Sequence, residues 1–294
     1  ERHEEEHDGN SGHDGDRRGP TPRQPGPRPE SLHQRLDRQH DRHAACGGEG
    51  HPERGEHRAF VRIGRHDAEQ CGVDIKAVDI VIISHGHADH GGGLSAFLQV
   101  NHTAKIYIHP DAFLPHYNKV LKVPIYCGLD TKFQNNKRIV YTKEHYIIDK
   151  NLFLFSDVEG SRCVPSINNS MRETRGKHRV TDTFTHEQNL IIQEDGKVVL
   201  IGGCAHRGIV NIVKTAKFLT GKYIDVVISG FHLTDPVLKK TEDTEFLDKL
   251  AYNLSKFSCQ YYTFHCTGHR PYQYLRAKLG EKVKYLRAGD TLVI

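Results

Sequence analysis

The segment that most limits the fold runs from residue 78 to residue 93, where an apolar stretch ends in a dense group of metal-binding side chains. Val78 to Ile83 is apolar except for Asp79, and three glycines follow at Gly91 to Gly93. This pattern predicts a buried strand. Four possible ligands lie between the strand and the glycines: His85, His87, Asp89 and His90. Imidazole and carboxylate groups suit zinc, manganese and iron. We therefore expect a metal site at the carboxyl end of a strand, where α/β sheets open their clefts.

Further candidate ligands follow predicted strands in the second half of the chain. Strands are expected over residues 198–201, 225–229 and 260–264, with helices between them. This alternation favours a layered α/β fold. Directly after these strands come side chains that bind metals: Cys204 and His206, then His232, then His265. We expect the residues that follow the three strands to meet at one edge of a sheet.

The spacing H-x-H-x-D-H between a strand and three glycines resembles the metallo-β-lactamase superfamily. That resemblance implies a four-layer αββα sandwich with a site for one or two metals between its sheets. By similarity to the zinc β-lactamases, one metal would be held by His85, His87 and His186. The other metal would be held by Asp89, His90 and His232, with Cys204 nearby.

A closer resemblance rests on five segments together: SHGHADHGGGL, IHPDAF, GGCAHRGIVNIV, GFHL and HCTG. They are similar to the proteins related to archaeal dihydropterin-ribofuranosylaminobenzene-phosphate synthase, and the similarity covers residues 68–294. In that family His206 is a regular feature, whereas His186 is less regular. His206 is therefore an alternative third ligand, in place of His186 or beside it, and His265 is a candidate ligand or substrate contact. A fixed ring orientation favours His206, because two glycines and the following helix hold its backbone.

The resemblance implies a metal-dependent hydrolase that acts on a small anionic or phosphorylated substrate through a metal-activated water. Two divalent transition metals are expected, zinc before manganese or iron. Asp89 is the expected catalytic residue, because its carboxylate could orient the water. Arg270 and Thr267, at a predicted helix start, are expected to bind substrate phosphate. The alternatives are a pterin-type transferase that forms a C–C or C–N bond, and an inactive product of a disrupted gene.

The first 66 residues differ in composition from the rest of the chain. They contain 12 Arg and no Lys, whereas residues 67–294 contain 9 Arg and 20 Lys. Their few apolar residues follow neither the helical nor the strand period, so they offer little surface to offset the entropy of ordering. Two interpretations stay open: a disordered extension, or translation of a shifted reading frame. In both, residues 67–294 form the metallo-β-lactamase-type domain, and the first strands of its amino-terminal sheet are missing.

Composition also narrows the class of partner. The net charge of +4 is small for 294 residues, and no basic stripe with interleaved aromatic residues points to nucleic acid. No apolar stretch reaches the ~18 residues of a membrane span, and no signal peptide is visible. Seven cysteines at irregular spacing predict a reducing compartment, which we take to be the cytoplasm. Residues 112–138 are expected to be an insertion beside the cleft. Residues 156–183 are expected to be a solvated loop or an arginine-rich loop that recognises anions.

Overall fold

The computed structural model describes Ala68 and residues 71–235 and 237–294. The predictions made for residues 1–66 lie outside the described residues. The strands of the described part are β1 Ile80–Ile82, β2 Lys105–Ile108, β3 His116–Val120, β4 Val123–Tyr126, β5 Ile139–Tyr141, β6 His145–Ile147, β7 Leu152–Phe155, β8 Met171–Arg175, β9 His178–Thr181, β10 Asn189–Glu194, β11 Lys197–Ile201, β12 Val226–Ile228, β13 Thr234–Asp235, β14 Lys240–Thr241, β15 Gln260–Thr263 and β16 Val283–Tyr285. Its α-helices are α1 Ala88–Gly91, α2 Leu94–Val100, α3 Ile209–Thr220, α4 Thr244–Ser255 and α5 His269–Leu279.

Two sheets of unequal size carry the candidate ligands. The larger sheet has seven strands in the order β16-β15-β12-β11-β10-β7-β6, and its strands β11, β12, β15 and β16 are parallel neighbours. The smaller sheet has three parallel strands in the order β1-β2-β5. Parallel neighbours end at the same edge of a sheet, and the loops that follow β1, β11, β12 and β15 hold the candidate ligands.

Alternate residues of the larger sheet face two apolar layers. Val198 and Leu200 of β11 pack against helices α3 and α4, in a core that also holds Ile212 and Leu250. Val199 belongs to a separate apolar cluster on the opposite face of the sheet. This alternation is the period of a strand that is buried on both faces.

Helix α2 covers the smaller sheet in the same way. Leu94 of α2 packs with Ile83, Ile106 and Ile108 from the end of β1 and from β2. Each of these fully buried aliphatic side chains contributes about 1.5–3 kcal/mol relative to exposure. The layers therefore run helix, sheet, sheet, helix, and the predicted four-layer αββα sandwich is confirmed.

A third sheet, in the order β4-β3-β8-β9, contributes residues to the site. The loop predicted over residues 156–183 is wrong, because β8 and β9 form a hairpin within it. Glu173 of β8 is fully buried, and its carboxylate accepts from Arg175 Nε at 2.9 Å. A buried carboxylate thus occupies a position where a sequence pattern would require an apolar residue. Residues 112–138, expected to be an insertion, contain β3 and β4.

Several smaller sequence predictions can also be compared with the structure. The sequence predicts a short amphipathic helix over Leu94–Val100 and a hairpin turn at Asp195-Gly196, and both are confirmed. The sequence of residues 139–149 also predicts a single strand, which is wrong, because Glu144 adopts a φ of 46° and separates β5 from β6. The apolar run at the end of the sequence predicts a strand over residues 291–294, but no strand forms there. Among the helices of the described residues, none has both the length and the apolar character needed to cross a membrane.

Candidate metal centre

Two loops that carry candidate ligands meet at the edge of the sheets. The first runs from the end of β1 into α1 and carries His85, His87, Asp89 and His90. The second follows β11 and carries Cys204 and His206. Gly203 permits their close approach, because a Cβ atom at this position would lie 2.4 Å from the hydroxyl oxygen of Ser84. A larger residue at position 203 would push the two loops apart.

Strands β12 and β15 bring two more histidines to this edge, and β11, β12 and β15 are parallel neighbours as predicted. His232 follows β12 and His265 follows β15. These two residues and Ala205 have positive φ angles of 46°, 52° and 56°. Such backbone strain in residues other than glycine is costly and clusters at functional sites.

Four buried imidazole nitrogens have no hydrogen-bond partner within the described part of the chain: His85 Nε2, His87 Nε2, His206 Nε2 and His232 Nδ1. A buried polar atom without a partner costs about 1–3 kcal/mol. Donor atoms of His85, His87 and His206 lie within 4.8 Å of one another. Converging lone pairs of this kind are the arrangement that a metal ion satisfies, so the residues fit a metal.

The ring of His206 is fixed by its neighbours. Its Nδ1 lies 2.9 Å from Asn168 Oδ1, and Phe184 stacks on the ring with a centroid distance of 4.4 Å. Because Asn168 Oδ1 can only accept, the Nδ1 atom carries the proton and Nε2 keeps its lone pair. The backbone amide of His206 donates to Glu187 Oε1 at 2.7 Å. These contacts set both the tautomer and the orientation that a ligand needs.

His186 lies in the same buried region, but both of its ring nitrogens have partners. The amide of Gly86 donates to His186 Nδ1 at 2.9 Å. The proton of a neutral ring must then be on Nε2, which lies 3.2 Å from Asp182 Oδ1. His116 also contacts this carboxylate, with Nδ1 2.9 Å from Asp182 Oδ2. Burial acts to raise the pKa of Asp182, but hydrogen bonds from His116 and His186 hold it well below its usual value.

A second group of candidate ligands is more open to solvent. Asp89 Oδ2 lies 3.0 Å from His265 Nε2, and the two side chains are 44% and 42% exposed. His90 Nε2 lies 3.1 Å from the sulfur of Cys204 and 3.6 Å from Asp89 Oδ2. Cys204 also lies within 4.8 Å of donor atoms of His206 and His232, so its sulfur is central to the cluster.

The electrostatics of the cluster favour the protonation states that bind a metal. Burial lowers the pKa of His85 and of His206 well below the usual histidine value, and it lowers the pKa of His90 to about 4. Burial acts to raise the pKa of Asp89, but the hydrogen bond from His265 holds it below its usual value. At neutral pH the imidazoles of His85, His90 and His206 are uncharged and the Asp89 carboxylate is ionised, as metal coordination requires.

Sequence reasoning missed the polar residues that position these ligands. Glu187 is buried and accepts from the amides of His206 and Arg207, at 2.7 and 2.9 Å, and burial raises its pKa to about 7. Gln188 donates to the carbonyl oxygens of Ile83 and Tyr107, at 2.7 and 3.1 Å. It thereby ties the larger sheet to the strands β1 and β2. The available signal was the run His186-Glu187-Gln188 directly before an apolar strand.

The two residues expected to bind substrate lie on opposite sides of the helix start. Thr267 is fully buried, and its hydroxyl oxygen accepts from the amide of Phe231 at 2.8 Å. Arg270 is exposed in the first turn of α5. The structure therefore leaves Arg270 accessible to a ligand and does not present the Thr267 hydroxyl to the cleft.

Comparison with known proteins agrees with this geometry. A model of the metallo-beta-lactamase superfamily matches residues 46–215, more than half of the chain. The chain belongs to the metallo-β-lactamase superfamily. The match includes the loops of His85 to His90 and of Cys204 to His206, and it ends before His232 and His265. It begins at residue 46, inside the segment 1–66 that composition sets apart.

Two known proteins are similar to about three quarters of this chain. The 7,8-dihydropterin-6-methyl-4-(beta-D-ribofuranosyl)-aminobenzene-5'-phosphate synthase of Methanocaldococcus jannaschii is 27% identical over 241 residues, which are 75% of this chain and 76% of the relative. The crystal structure of Tm1679, described as a metal-dependent hydrolase of the beta-lactamase superfamily, has a TM-score of 0.63 and 26% identity, and the match covers 77% of this chain and 83% of that one. Both resemblances noted in the sequence are confirmed.

Proposed function

We propose that this metallo-β-lactamase superfamily member is a metal-dependent hydrolase that acts on a small anionic or phosphorylated substrate. The observation that carries the proposal is the convergence of unpartnered histidine nitrogens beside an ionised, half-exposed carboxylate. A structural role alone would leave these nitrogens buried without compensation. The similarity to a metal-dependent hydrolase of the superfamily supports the same reaction class.

The proposed ligands fall into two sets. The first consists of His85, His87 and His206. His206 is the third ligand in place of His186, because of these two histidines His206 alone keeps an oriented nitrogen without a partner among the described residues. The second set consists of Asp89, His90 and His265, with Cys204 and His232 between the two sets. When bound there, divalent transition metals supply Lewis-acid chemistry and activate water. Zinc is the proposed metal, because a thiol and imidazoles suit it well.

The exposed residues of this chain would then serve the substrate. Asp89 orients the attacking water, and its hydrogen bond to His265 keeps the carboxylate turned towards the site. Arg270, in the first turn of the helix after the loop that carries His265, would pair with an anionic group of the substrate. His186, with Asp182, fixes the loop that carries His85 and His87 through the amide of Gly86.

A pterin-type transferase is the second candidate function. It is supported by the similarity to the archaeal dihydropterin synthase, which extends over 75% of this chain. The same metal ligands would then orient a phosphorylated substrate for C–C or C–N bond formation in place of hydrolysis.

Cellular context forms part of the proposal. The thiols of Cys127, Cys163, Cys204, Cys259 and Cys266 are free, which supports a reducing compartment such as the cytoplasm. We propose a small molecule as the partner, with neither nucleic acid nor membrane involved.

Hydrolysis of model substrates tests the proposed function. Purified protein loaded with zinc is assayed on chromogenic phosphate monoesters and diesters and on anionic carboxylic esters, beside Asp89→Asn and His206→Ala variants. We expect zinc-dependent hydrolysis of at least one anionic class, with a large loss in both variants. A zinc-loaded protein that hydrolyses none of these classes, but joins a dihydropterin to a phosphorylated aminobenzene riboside, would replace the hydrolase proposal with the transferase.

A further inference from the structure

Two cysteines from the segments that follow β11 and β15 meet at the metal cluster, and Cys266 belongs to neither of the two proposed ligand sets. We propose that Cys266 is a ligand as well, so that a pair of thiolates joins His265 and Asp89 at the second metal position, in place of His90. The inference rests on the proposed function and specifies the chemistry of one of its two metal positions.

The geometry that carries this proposal is compact. The sulfur atoms of Cys204 and Cys266 and a ring nitrogen of His265 all lie within 4.8 Å of one another. Cys266 Sγ is 3.8 Å from the carbonyl oxygen of Cys204. Three donor atoms at this separation can share one tetrahedral zinc, whose bonds are about 2.0–2.3 Å long. A fourth position stays available to Asp89, which contacts His265.

The backbone makes room for the second sulfur. A Cβ atom on Gly230 would lie 2.7 Å from Cys266 Sγ, so a side chain at position 230 would displace the thiol. The amide of Gly230 donates to the carbonyl oxygen of Gly203 at 2.8 Å, which joins the loop after β12 to the loop that carries Cys204. The two glycines thus bring both cysteines to the same place.

The surroundings of this pair differ from those of a structural thiol. Cys259 is also buried, but it packs in the main apolar core with Leu254 and Tyr261. Neither Cys204 nor Cys266 belongs to an apolar cluster of the described residues, and their polar neighbours are imidazoles. Buried thiols among metal-type ligands are typical of a coordination site, whereas Cys259 is typical of core packing.

A pair of thiolates also restricts the metal. Sulfur ligands favour zinc and other soft or borderline ions over magnesium and manganese. The second position should therefore take zinc or cobalt and refuse manganese. A site of imidazoles and one carboxylate would not discriminate as strongly.

Cobalt substitution reports thiolate ligation directly, because a Co²⁺–thiolate bond gives a near-ultraviolet charge-transfer absorption. The full-length apoprotein is titrated with Co²⁺ as wild type, Cys204→Ser, Cys266→Ser and the double variant, with Cys259→Ser as the matched buried control. We expect each single variant at the pair to lose about half of the absorption and the double variant to lose all of it. The Cys259→Ser control should keep the full absorption.

An unchanged absorption in Cys266→Ser would overturn the proposal while leaving the hydrolase function intact, since the protein would still bind cobalt. A wild-type protein that binds no cobalt would instead overturn the proposed function. Zinc K-edge X-ray absorption of the wild-type holoprotein tests the same proposal without a variant, so its result does not depend on whether a variant folds. Two sulfur scatterers at about 2.3 Å for each pair of zinc ions support the thiolate pair, and one or none contradicts it.

Discussion

Replacement of His206 or His186 by alanine separates a metal ligand from a residue that positions ligands. The two histidines are both fully buried and lie in the same cluster, so a comparison of their variants is closely matched. His206 keeps Nε2 free for a metal, whereas His186 uses one nitrogen for Gly86 and the other for Asp182. We expect His206→Ala to cost more zinc affinity than His186→Ala.

The size of each effect follows from these contacts. Loss of a residue that only orients ligands typically weakens metal binding by ~10–100-fold, or about 1.4–2.8 kcal/mol, and we expect His186→Ala to fall in this range. Because His206 is itself a proposed ligand, His206→Ala should weaken zinc binding by more than the upper end of that range. The ranking should reverse for the stability of the apoprotein. His186→Ala leaves the buried amide of Gly86 without a partner, at a cost of about 1–3 kcal/mol in the free energy of unfolding.

Competition with a chromogenic chelator measures the zinc affinity of both variants, and thermal unfolding of the apoproteins measures their stability. His102→Ala, at an exposed position outside the cluster, serves as the control and should match the wild type in both assays. Equal or weaker loss of affinity in His206→Ala would return the role of third ligand to His186.

Three further predictions address the pH range, the support of the ligand loop and the domain boundary. Burial lowers the pKa of His85 and His206, and that of His90 to about 4, so protons compete weakly with the metal. Zinc should therefore stay bound below the usual histidine pKa of ~6.5 and be lost only as the pH falls well under it. Dialysis at each pH followed by metal analysis measures the bound zinc, and complete release at ~6.5 would contradict this prediction. Glu187→Gln leaves one of the amides of His206 and Arg207 without an acceptor. It should weaken zinc binding by ~10–100-fold in the same chelator assay, and an unchanged affinity would show that this carboxylate does not position His206. A boundary at residue 67 predicts that removal of residues 1–66 leaves the thermal transition and the metal content unchanged. Removal of residues 1–45 is its control, and a loss confined to the longer deletion would assign residues 46–66 to the domain.

The position of the site could be predicted because it follows from local patterns. The apolar run before Ser84 and the strands before Cys204, His232 and His265 each end in side chains that bind metals. Parallel neighbours end at one edge, so sheet topology alone brings these loops together. The signal is strong because it combines residue type with secondary structure.

The residues that hold the site could not be predicted, because their role depends on contacts between distant parts of the chain. Asn168 reaches His206 across 38 positions, and Gln188 reaches Ile83 across 105. A buried polar residue with such partners has the same local pattern as a loop residue. The hairpin of β8 and β9 was missed for a local reason, because a buried carboxylate, Glu173, stands where the apolar alternation of a strand would require an apolar residue.

The metal content of the purified protein tests the central claim most directly. Elemental analysis is made on the wild type and on His85→Ala and Asp89→Ala, which remove one donor from each proposed set. The two-site arrangement predicts about two transition-metal ions for each wild-type chain and a loss of most of the metal in each variant. A wild-type protein without bound metal, or full retention of the metal in both variants, would contradict the assignment of this cluster as a metal centre.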